Sequence, residues 1–286
     1  MWKKERGVQV GDKKRVRWIG YLLILCLLLL GGCATNPQEA RTEIVVFAAA
    51  SLSEPLTEIG HTYEAQHPGV RITFQFDSSG TLKKQIEEGA ACDLFISAAP
   101  RQMDALEEEG LLFNESRVDL LENQVCLAAM TDTAGNVHSF AELAQQLPTG
   151  ELLLSIGNKD VPAGQYAQDI LAHYGLSDVA LAQAGSITYG SNVKEVVTQI
   201  REGLVDCGII YSTDAYSAGL EILEVATAEE CGPVVYPACV LKNTREQEQT
   251  EEFLTYLQGK DAIAVFEGVG FHGFISSVEL DSGRND

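Results

Sequence analysis

The stretch Glu43-Ile-Val-Val-Phe-Ala-Ala-Ala-Ser-Leu-Ser-Glu54 joins an apolar run to a pattern that begins helices. The apolar run is typical of a buried parallel strand, because such strands are covered on both faces. Ser51 and Glu54 have the S-x-x-E spacing of a capping box, so a helix is expected from this point. Apolar residues then follow at helical spacing, at Leu52, Leu56, Ile59 and Tyr63. A strand that turns directly into a helix predicts a βα unit and hence a parallel sheet.

The same alternation of strands and helices returns along the chain. Further strands are predicted at residues 70–76, 93–97, 125–130, 152–156, 207–211 and 234–241. Helices are predicted at residues 79–88, 101–109, 140–147, 161–174, 193–202, 248–257 and 262–266. Pro237 in the last strand predicts an edge or a crossover, because proline has no N–H for the ladder. The sequence therefore predicts an α/β fold with parallel-rich sheets flanked by helices.

Four short segments place small or hydroxyl-bearing residues where a predicted helix begins, and a fifth ends a strand on a tyrosine. They read Phe47-Ala-Ala-Ala-Ser51, Asp77-Ser-Ser-Gly-Thr81, Val161-Pro-Ala-Gly164, Ser191-Asn-Val193 and Ile209-Ile-Tyr211, and none contains Lys or Arg. Helix N-termini carry unpaired N–H groups and a partial positive charge, and ligands of parallel sheets bind beside such βα turns. If the segments converge, they form a neutral cage of hydrogen-bond donors for a small oxyanion.

The charge of the chain excludes one class of ligand. The 286 residues hold 20 Lys and Arg against 41 Asp and Glu, a net charge of −21. Residues 1–32 hold seven Lys and Arg against two Asp and Glu, so the remainder carries −26. Nucleic-acid phosphates are bound by clustered Lys and Arg, so no nucleic-acid partner is expected. The five histidines lie far apart and no C-x-x-C spacing occurs, so no metal-ion site or cofactor is expected.

The first 42 residues have the pattern of an export and anchoring segment. A basic stretch ends at Arg17, and the apolar run from Trp18 to Leu30 falls short of a membrane span of about 20 residues. The run closes on Leu30-Gly-Gly-Cys33, which resembles the bacterial lipobox, where cleavage leaves a lipidated cysteine. Residues 1–32 are thus predicted to be a lipoprotein signal peptide, and 33–42 the lipidated Cys33 and a polar tether. We expect the protein on the extracytoplasmic face of the cell membrane, held only by this lipid. An ordinary signal peptide with an incidental cysteine is the alternative.

Five cysteines remain beyond the signal peptide and Cys33, namely Cys92, Cys126, Cys207, Cys231 and Cys239. An odd number leaves at least one thiol unpaired within a single chain. Cys231 and Cys239 could bridge a turn, but burial as small apolar side chains is the favoured interpretation of most of the five.

Five segments of the chain together resemble the periplasmic molybdate-binding proteins, the extracytoplasmic receptors of molybdate ABC importers. They read Val46-Phe-Ala-Ala-Ala-Ser-Leu52, Ser79-Gly-Thr-Leu-Lys-Lys-Gln-Ile86, Cys92-Asp-Leu-Phe-Ile-Ser-Ala98, Val161-Pro-Ala-Gly-Gln-Tyr166 and Gly208-Ile-Ile-Tyr-Ser-Thr-Asp-Ala215. The similarity runs from about residue 43 to residue 274 in the order of that family. Each motif alone is weak evidence, but five in order behind a lipobox are strong evidence.

The resemblance implies both a fold and a function. The fold is the two-lobed type II periplasmic-binding-protein fold, with lobe 1 built from residues 43–124 and a return segment 237–286, and lobe 2 from residues 125–236. The function is capture of molybdate or tungstate and delivery to the permease of an ABC transporter. The resemblance implies a receptor that performs no chemistry, and we expect it to be a monomer without a cofactor.

The resemblance also implies an oxyanion-binding role for five residues. Ser51 and Ser79 would each give a hydroxyl and an N–H, Ala163 and Val193 would give N–H groups, and Tyr211 its phenolic hydroxyl. Each side chain among them has an ordinary interpretation as well, the serines as helix N-caps and the tyrosine as a core residue.

Two residues depart from the pattern of that family. Asp77 stands where the family usually has a small uncharged residue, and Gly80 replaces a frequent serine. A carboxylate repels a full dianion unless a proton lies between them, so a phosphate receptor remains an alternative, as does a sulfate receptor. We expect Asp77 instead to point away from the ligand and to cap the helix that starts at Ser78 or Ser79.

An exported serine acyl-transferring enzyme is the alternative from a different class. Ser191-Asn-Val-Lys194 is formally an S-x-x-K motif of penicillin-recognising enzymes. The companion K-T-G and S-D-N motifs and a G-x-S-x-G elbow do not occur in the sequence. A binding protein without catalytic residues is therefore expected.

Overall fold

Two β-sheets, each flanked by helices, make up the computed structural model, which describes residues 41–131 and 137–274. The strands are β1 (Thr42–Ala49), β2 (Val70–Asp77), β3 (Leu94–Ile96), β4 (Val118–Asn123), β5 (Val125–Ala129), β6 (Leu154–Gly157), β7 (Ile187–Gly190), β8 (Cys207–Tyr211), β9 (Glu221–Val225), β10 (Val234–Val240) and β11 (His272–Gly273). The helices are α1 (Ser53–Gln66), α2 (Ser79–Glu87), α3 (Pro100–Glu108), α4 (Phe140–Gln146), α5 (Pro162–His173), α6 (Asp178–Gln183), α7 (Val193–Arg201), α8 (Ser212–Ala218), α9 (Ala228–Cys231), α10 (Gln247–Leu257) and α11 (Lys260–Gly268). Three short 3-10 turns lie at Ala50–Leu52, Asn114–Ser116 and Leu147–Thr149.

The predicted signal peptide (1–32) and Cys33 lie outside the described residues, as do the tether up to residue 40 and the return segment from residue 275. Thr42, predicted to end the tether, already belongs to β1. Within the two described ranges, no helix is both long enough and apolar enough to span a membrane.

Lobe 1 is built on a six-stranded sheet with the order β11-β4-β10-β3-β1-β2. Strand β1 pairs in parallel with β2 and β3, whereas β10 runs antiparallel to β3 and β4. Alternate residues of a strand face opposite sides, so Val46 and Ile96 pack with the core that includes α1, α10 and α11. Phe47 and Phe95 face the other way, into a second core with α2 and α3.

Lobe 2 is built on a five-stranded sheet with the order β7-β6-β8-β5-β9. Strand β6 pairs in parallel with β7 and β8, and β5 runs antiparallel to β8 and β9. Helices α5 and α7 both pack against β6 and β8. Each lobe therefore has three neighbouring parallel strands on one side of its sheet, β3-β1-β2 in lobe 1 and β7-β6-β8 in lobe 2, and helices follow their carboxyl ends.

The chain passes between the lobes at two places. Gln124 alone separates β4 of lobe 1 from β5 of lobe 2. The return comes before β10, which begins at Val234, ahead of the predicted boundary between residues 236 and 237. Pro237 lies in this interior strand, so the predicted edge or crossover position is wrong. The register shifts between Tyr236 and Pro237, and the proline carbonyl accepts from Ser97 N at 3.0 Å, so the missing N–H is accommodated at the irregularity.

Helix α1 buries the predicted residues but does not begin as predicted. Leu56, Ile59 and Tyr63 are buried, which confirms the helical spacing. The helix starts at Ser53 after the 3-10 turn, and no side chain caps it. The predicted capping box of Ser51 and Glu54 is therefore wrong, because the Ser51 hydroxyl is used elsewhere.

All five described cysteines are free thiols, which confirms that at least one is unpaired. Cys231 is half-buried and the other four are buried. Burial raises the pKa of the Cys126 thiol and of the Cys207 thiol to about 12. At neutral pH these two thiols are therefore protonated and act as small apolar side chains.

Candidate functional site

A small cavity lies between the two lobes, at the edge where the parallel strands end. Its volume is about 10 Å³, about the space of one water molecule and far below the range of about 300–1,000 Å³ typical of sites for drug-sized ligands. Lobe 1 lines it with Ala49, Ala50, Asp77, Ser78, Ser79 and Ala98, and lobe 2 with Val161, Pro162, Ala163, Val193 and Tyr211. With the lobes this close, the cavity has room only for a very small ligand.

Four of the five predicted site residues lie in the wall of this cavity, namely Ser79, Ala163, Val193 and Tyr211. Ser51 does not line it, although the preceding Ala50 does. The strand register explains the convergence in lobe 1, since Ala49 of β1 stands beside Asp77 of β2 and both strands end at the same edge. The ligand roles of the five residues remain predictions.

Ser79 presents its hydroxyl from a fully buried position at the start of α2. Its Oγ accepts a hydrogen bond from the N–H of Ala98 at 3.0 Å. The N-cap of α2 is Ser78, whose hydroxyl accepts from Thr81 N at 3.1 Å. The alternative interpretation of Ser79 as an N-cap is thus wrong, and its hydroxyl proton remains available for another acceptor.

Tyr211 reaches across the cleft from the end of β8. Its phenolic hydroxyl donates to the carbonyl of Ala98 in lobe 1 at 3.3 Å, and its ring packs edge-on against Tyr236 and Tyr166. Complete burial raises the pKa of this phenol well above its ordinary value of 10.0, and the two neighbouring tyrosines act in the same direction. The hydroxyl therefore remains a neutral donor at physiological pH.

Ser51 lies in the 3-10 turn after β1 and belongs to a buried polar network. Its hydroxyl hydrogen-bonds the phenol of Tyr236 at 3.0 Å, and Asn123 Nδ2 donates to the same phenol at 3.2 Å. Asn123 Nδ2 also donates to Thr213 Oγ1 in lobe 2 at 3.0 Å. The first turn of such a helix leaves its N–H groups without an internal acceptor, so the Ser51 backbone remains a candidate donor.

Ala163 and Val193 contribute backbone rather than side chains. Ala163 is the second residue of α5 and Val193 the first of α7, where N–H groups have no acceptor within the helix. No side chain caps α5 at Val161, and Asn192 caps α7 by accepting from Glu195 N at 3.0 Å. Both helix starts therefore keep N–H groups for a ligand in the cavity.

Asp77 is one of the residues that line the cavity, and the expectation that its side chain points away from the ligand stays a prediction. The expectation that it caps α2 is wrong, because Ser78 is the N-cap. One carboxylate oxygen accepts from the N–H of Ser78 at 2.7 Å, a contact with the adjacent residue rather than a cap of α2. The position at the end of β2, beside the end of β1, fixes the side chain at this edge.

Lys194 directly follows Ser191-Asn-Val193, one of the five segments that contain no Lys or Arg. Lys194 Nζ lies 3.1 Å from Asp214 Oδ1 in its own lobe and 3.5 Å from Glu54 Oε1 across the cleft. Neither oxygen of the buried Asp214 accepts a well-aligned hydrogen bond from the described residues, so the contact is an ion pair. Burial raises the pKa of Asp214 although Lys194 opposes this, and the two carboxylates raise the pKa of Lys194 against the effect of its burial.

Ser191 does not meet Lys194 as a serine nucleophile would meet its base. Its hydroxyl donates to Glu195 Oε2 at 2.6 Å, while Lys194 contacts carboxylates. The S-x-x-K match therefore lacks the pairing that its chemistry requires.

Sequence reasoning missed Ala98, Tyr236, Asn123 and Lys194. Ala98 ends the quoted segment Cys92-Asp-Leu-Phe-Ile-Ser-Ala98 and Lys194 ends the S-x-x-K match, but neither residue was assigned to the site. Tyr236 and Asn123 carry no such signal, because they lie on β10 and β4, far from Ser51 in sequence.

The comparisons with known proteins agree with this geometry. The family model described as bacterial extracellular solute-binding protein matches residues 44–272. The chain belongs to that family. This solute-binding protein is 34% identical over 254 residues to YvgL of Bacillus subtilis (strain 168), provisionally named an ABC transporter substrate-binding lipoprotein, covering 87% of this chain and 95% of YvgL.

The name of a second relative states the ligand that this relative binds. The solute-binding protein is 34% identical over 246 residues to the molybdate-binding protein ModA of Haemophilus influenzae, covering 85% of this chain and 95% of ModA. The structure of the periplasmic molybdate-binding protein of Azotobacter vinelandii shares the fold, with a TM-score of 0.68 at 23% identity over 80% of this chain and 98% of that one. The family resemblance and the two-lobed type II fold are confirmed.

Proposed function

We propose that this protein captures molybdate or tungstate outside the cytoplasm and delivers it to the permease of an ABC importer. One observation carries the proposal: the small interlobe cavity is walled by Ser79, Tyr211 and two helix N-termini, and no Lys or Arg is among the described residues that line it. The names of relatives that cover most of this chain support molybdate as the ligand.

The donor set favours an oxyanion without a bound proton. Ser79, Tyr211 and the N–H groups of Ala163 and Val193 can all donate, and each hydrogen bond to a charged oxygen is worth about 1.5–3 kcal/mol. Among the described residues that line the cavity, Asp77 is the only one with a carboxylate, and it is the group that could accept a hydrogen bond from the proton of hydrogen phosphate. Phosphate and sulfate receptors are therefore the alternatives that the experiment must separate.

Transport requires a binding equilibrium rather than a reaction. Residues of both lobes wall the cavity, so a ligand that contacts both favours the closed arrangement, and this arrangement would be what the permease recognises. No cofactor is needed, and we propose a monomer that catalyses no reaction. The contacts of Ser191 and Lys194 support this against the acyl-transfer alternative.

The test is a thermal-shift and calorimetric screen of the soluble domain with molybdate, tungstate, sulfate and phosphate. A ligand at 100 times its Kd stabilises a protein by about 2.7 kcal/mol, which raises Tm by about 5–10 °C for a domain of this size. We expect this for molybdate and tungstate, a much smaller shift for sulfate and none for phosphate. Tyr211→Phe should weaken molybdate binding roughly 10- to 150-fold. No shift with molybdate or tungstate would reject the proposal.

We further propose that Cys33 carries the lipid anchor. The Leu-Gly-Gly-Cys sequence after a short apolar run supports it. Cys33→Ala should move the protein from the membrane fraction to the soluble fraction, while Cys231→Ala, as the matched control, should leave it with the membrane. Retention of the Cys33 variant in the membrane would contradict the anchor.

A further inference from the structure

Beside the cavity, the two lobes also meet through a pair of backbone groups. Gly80 follows the cavity residue Ser79 in lobe 1, and Asp160 precedes the cavity residue Val161 in lobe 2. The N–H of Gly80 donates to the carbonyl of Asp160 at 3.0 Å, so a backbone hydrogen bond joins the lobes beside the cavity. The Lys84 ammonium reinforces it with an ion pair to the Asp160 carboxylate at 2.6 Å.

Only glycine fits at this point of contact. A Cβ at position 80 would lie 2.1 Å from the Asp160 carbonyl oxygen, 2.8 Å from its carbon and 3.0 Å from its Cα. All three atoms are backbone, so rotating a side chain cannot relieve the overlap. The turn that holds Asp160 is itself tied down, because Asp160 N donates to Asn158 Oδ1 at 2.8 Å and Val161 N to Asn158 O at 2.9 Å.

We propose that the contact between Gly80 and Asp160 is the stop that sets how far the lobes close, and thereby the size of the ligand cavity. The inference rests on the proposed function, in which the ligand is bound between closed lobes. Any side chain at position 80 would hold Ser79 and Val161 apart and lengthen the hydrogen bonds that span the ligand. Gly80 is therefore a positioning residue, which acts on the ligand through the spacing of the lobes.

The proposed role of Gly80 predicts that a substitution affects lobe closure and folding stability in opposite directions. Gly80 lies in the first turn of α2 with an ordinary helical backbone, so alanine suits the isolated lobe better than glycine does. Gly80→Ala should thus stabilise the ligand-free, open protein while weakening binding. A residue that merely supports the fold would lose stability and affinity together.

The experiment compares Gly80→Ala with Gly268→Ala, a helical glycine in α11 with open space around it. We expect both variants to raise the Tm of the ligand-free protein by about 1–4 °C, since both gain helix propensity. With sodium molybdate as the probe, Gly80→Ala should bind roughly 10- to 100-fold more weakly and Gly268→Ala should bind like the wild type. Asp160→Ala keeps the carbonyl and removes only the ion pair, so it should lose no more than about fivefold.

The outcomes distinguish this inference from the proposed function. A wild type that binds none of the four oxyanions rejects the function, and the Tm comparison of the ligand-free variants still tests the contact. A lower Tm for ligand-free Gly80→Ala overturns the inference, because the contact would then exist without ligand. Unchanged molybdate affinity in Gly80→Ala overturns it while leaving the function intact.

Discussion

The two lobes bring hydrogen-bond donors to the cavity in different ways. Lobe 1 offers the hydroxyl of Ser79, held in place by the N–H of Ala98. Lobe 2 offers the starts of α5 and α7, where Ala163 and Val193 have no polar side chain, together with the phenol of Tyr211. Donors without cations are thus supplied by a side chain in lobe 1 and by both backbone and a phenol in lobe 2.

Capping explains how each lobe keeps its donors free. In lobe 1 the hydroxyl of Ser78 satisfies Thr81 N, which leaves the neighbouring Ser79 hydroxyl for the cavity. In lobe 2 Asn192 satisfies Glu195 N, and α5 has no side-chain cap. Substitution of the Ser79 side chain should therefore weaken binding through lobe 1, whereas lobe 2 should respond both to loss of the Tyr211 hydroxyl and to loss of a backbone N–H.

The largest effect is expected for Ser79→Ala in lobe 1. It removes a donor to the ligand and leaves the buried Ala98 N–H unpaired, so affinity for molybdate should fall by up to about 150-fold and stability by about 1–3 kcal/mol. Ser78→Ala is the matched control, since it loses only the helix cap, about 1 kcal/mol of stability, and should change affinity less than about threefold. Calorimetric titration and thermal unfolding measure both. If Ser78→Ala loses more affinity than Ser79→Ala, the donor to the ligand is Ser78 and not Ser79.

Lobe 2 is tested by Val193→Pro. Proline suits the first position of a helix, and the preceding Asn192 has the extended backbone that proline requires, with φ of −153° and ψ of 172°. The variant removes the N–H and also replaces the buried valine side chain, so molybdate affinity should fall by about tenfold and Tm should fall about as far as in Val193→Ala. Val193→Ala keeps the N–H and loses buried packing, so its Tm should fall while its affinity holds. If the alanine variant alone loses affinity, the side chain and not the backbone serves the ligand.

Substitution of Asp77 is expected to raise the affinity for molybdate, by less than the preceding variants lower it. Asp77→Asn keeps an acceptor for Ser78 N–H and removes a negative charge from the cavity wall, so affinity for molybdate should rise on the order of fivefold. The order of ligands should not change, with molybdate and tungstate together, sulfate much weaker and phosphate undetectable. Competition titrations check this. Displacement of molybdate by phosphate in the wild type, lost in the variant, would indicate a phosphate receptor.

The smallest expected effect is that of pH on the affinity for molybdate. Burial raises the pKa of Tyr211 above 10.0, so its hydroxyl remains protonated and donating until the pH exceeds that ordinary value. Deprotonation would remove the donor and add a repulsive charge, and the raised pKa moves this loss to higher pH. The Kd for molybdate should therefore vary by less than about twofold between about pH 7 and pH 9.5. If affinity falls within this range in the wild type but not in Tyr211→Phe, the phenol of Tyr211 loses its proton there and its pKa is not raised.

Local patterns predicted most of the elements, because apolar spacing reflects which face is buried. The spacing of Leu56, Ile59 and Tyr63 identified α1, and Asn192 with Glu195 identified the start of α7. Strands β7 and β9 were missed because their half-buried residues are only weakly apolar, and β4 because it directly precedes the crossing between lobes. Their assignment depends on neighbours that are remote in the sequence.

The candidate site was likewise only partly predictable from the sequence. The sequence could place Ser79, Ala163, Val193 and Tyr211 at the ends of parallel strands, since βα turns of one sheet share an edge. It could not show that the Ser51 hydroxyl bonds to Tyr236, or that Asp77 is among the residues that line the cavity. Those outcomes depend on which groups of β10 and of the opposite lobe come within about 3 Å, the distance of a hydrogen bond.

The amino-acid sequence by itself determined the alternation of strands and helices, the donor-bearing turns without cations and the family, because these follow from local spacing and residue type. Only the tertiary structure decided that Gly80 meets Asp160, that Lys194 joins Glu54 and Asp214, and how small the cavity is. The physical reason is that closure brings together segments of two lobes as far apart in the sequence as Glu54 and Lys194, 140 residues, and the local sequence of one segment contains no information about the other.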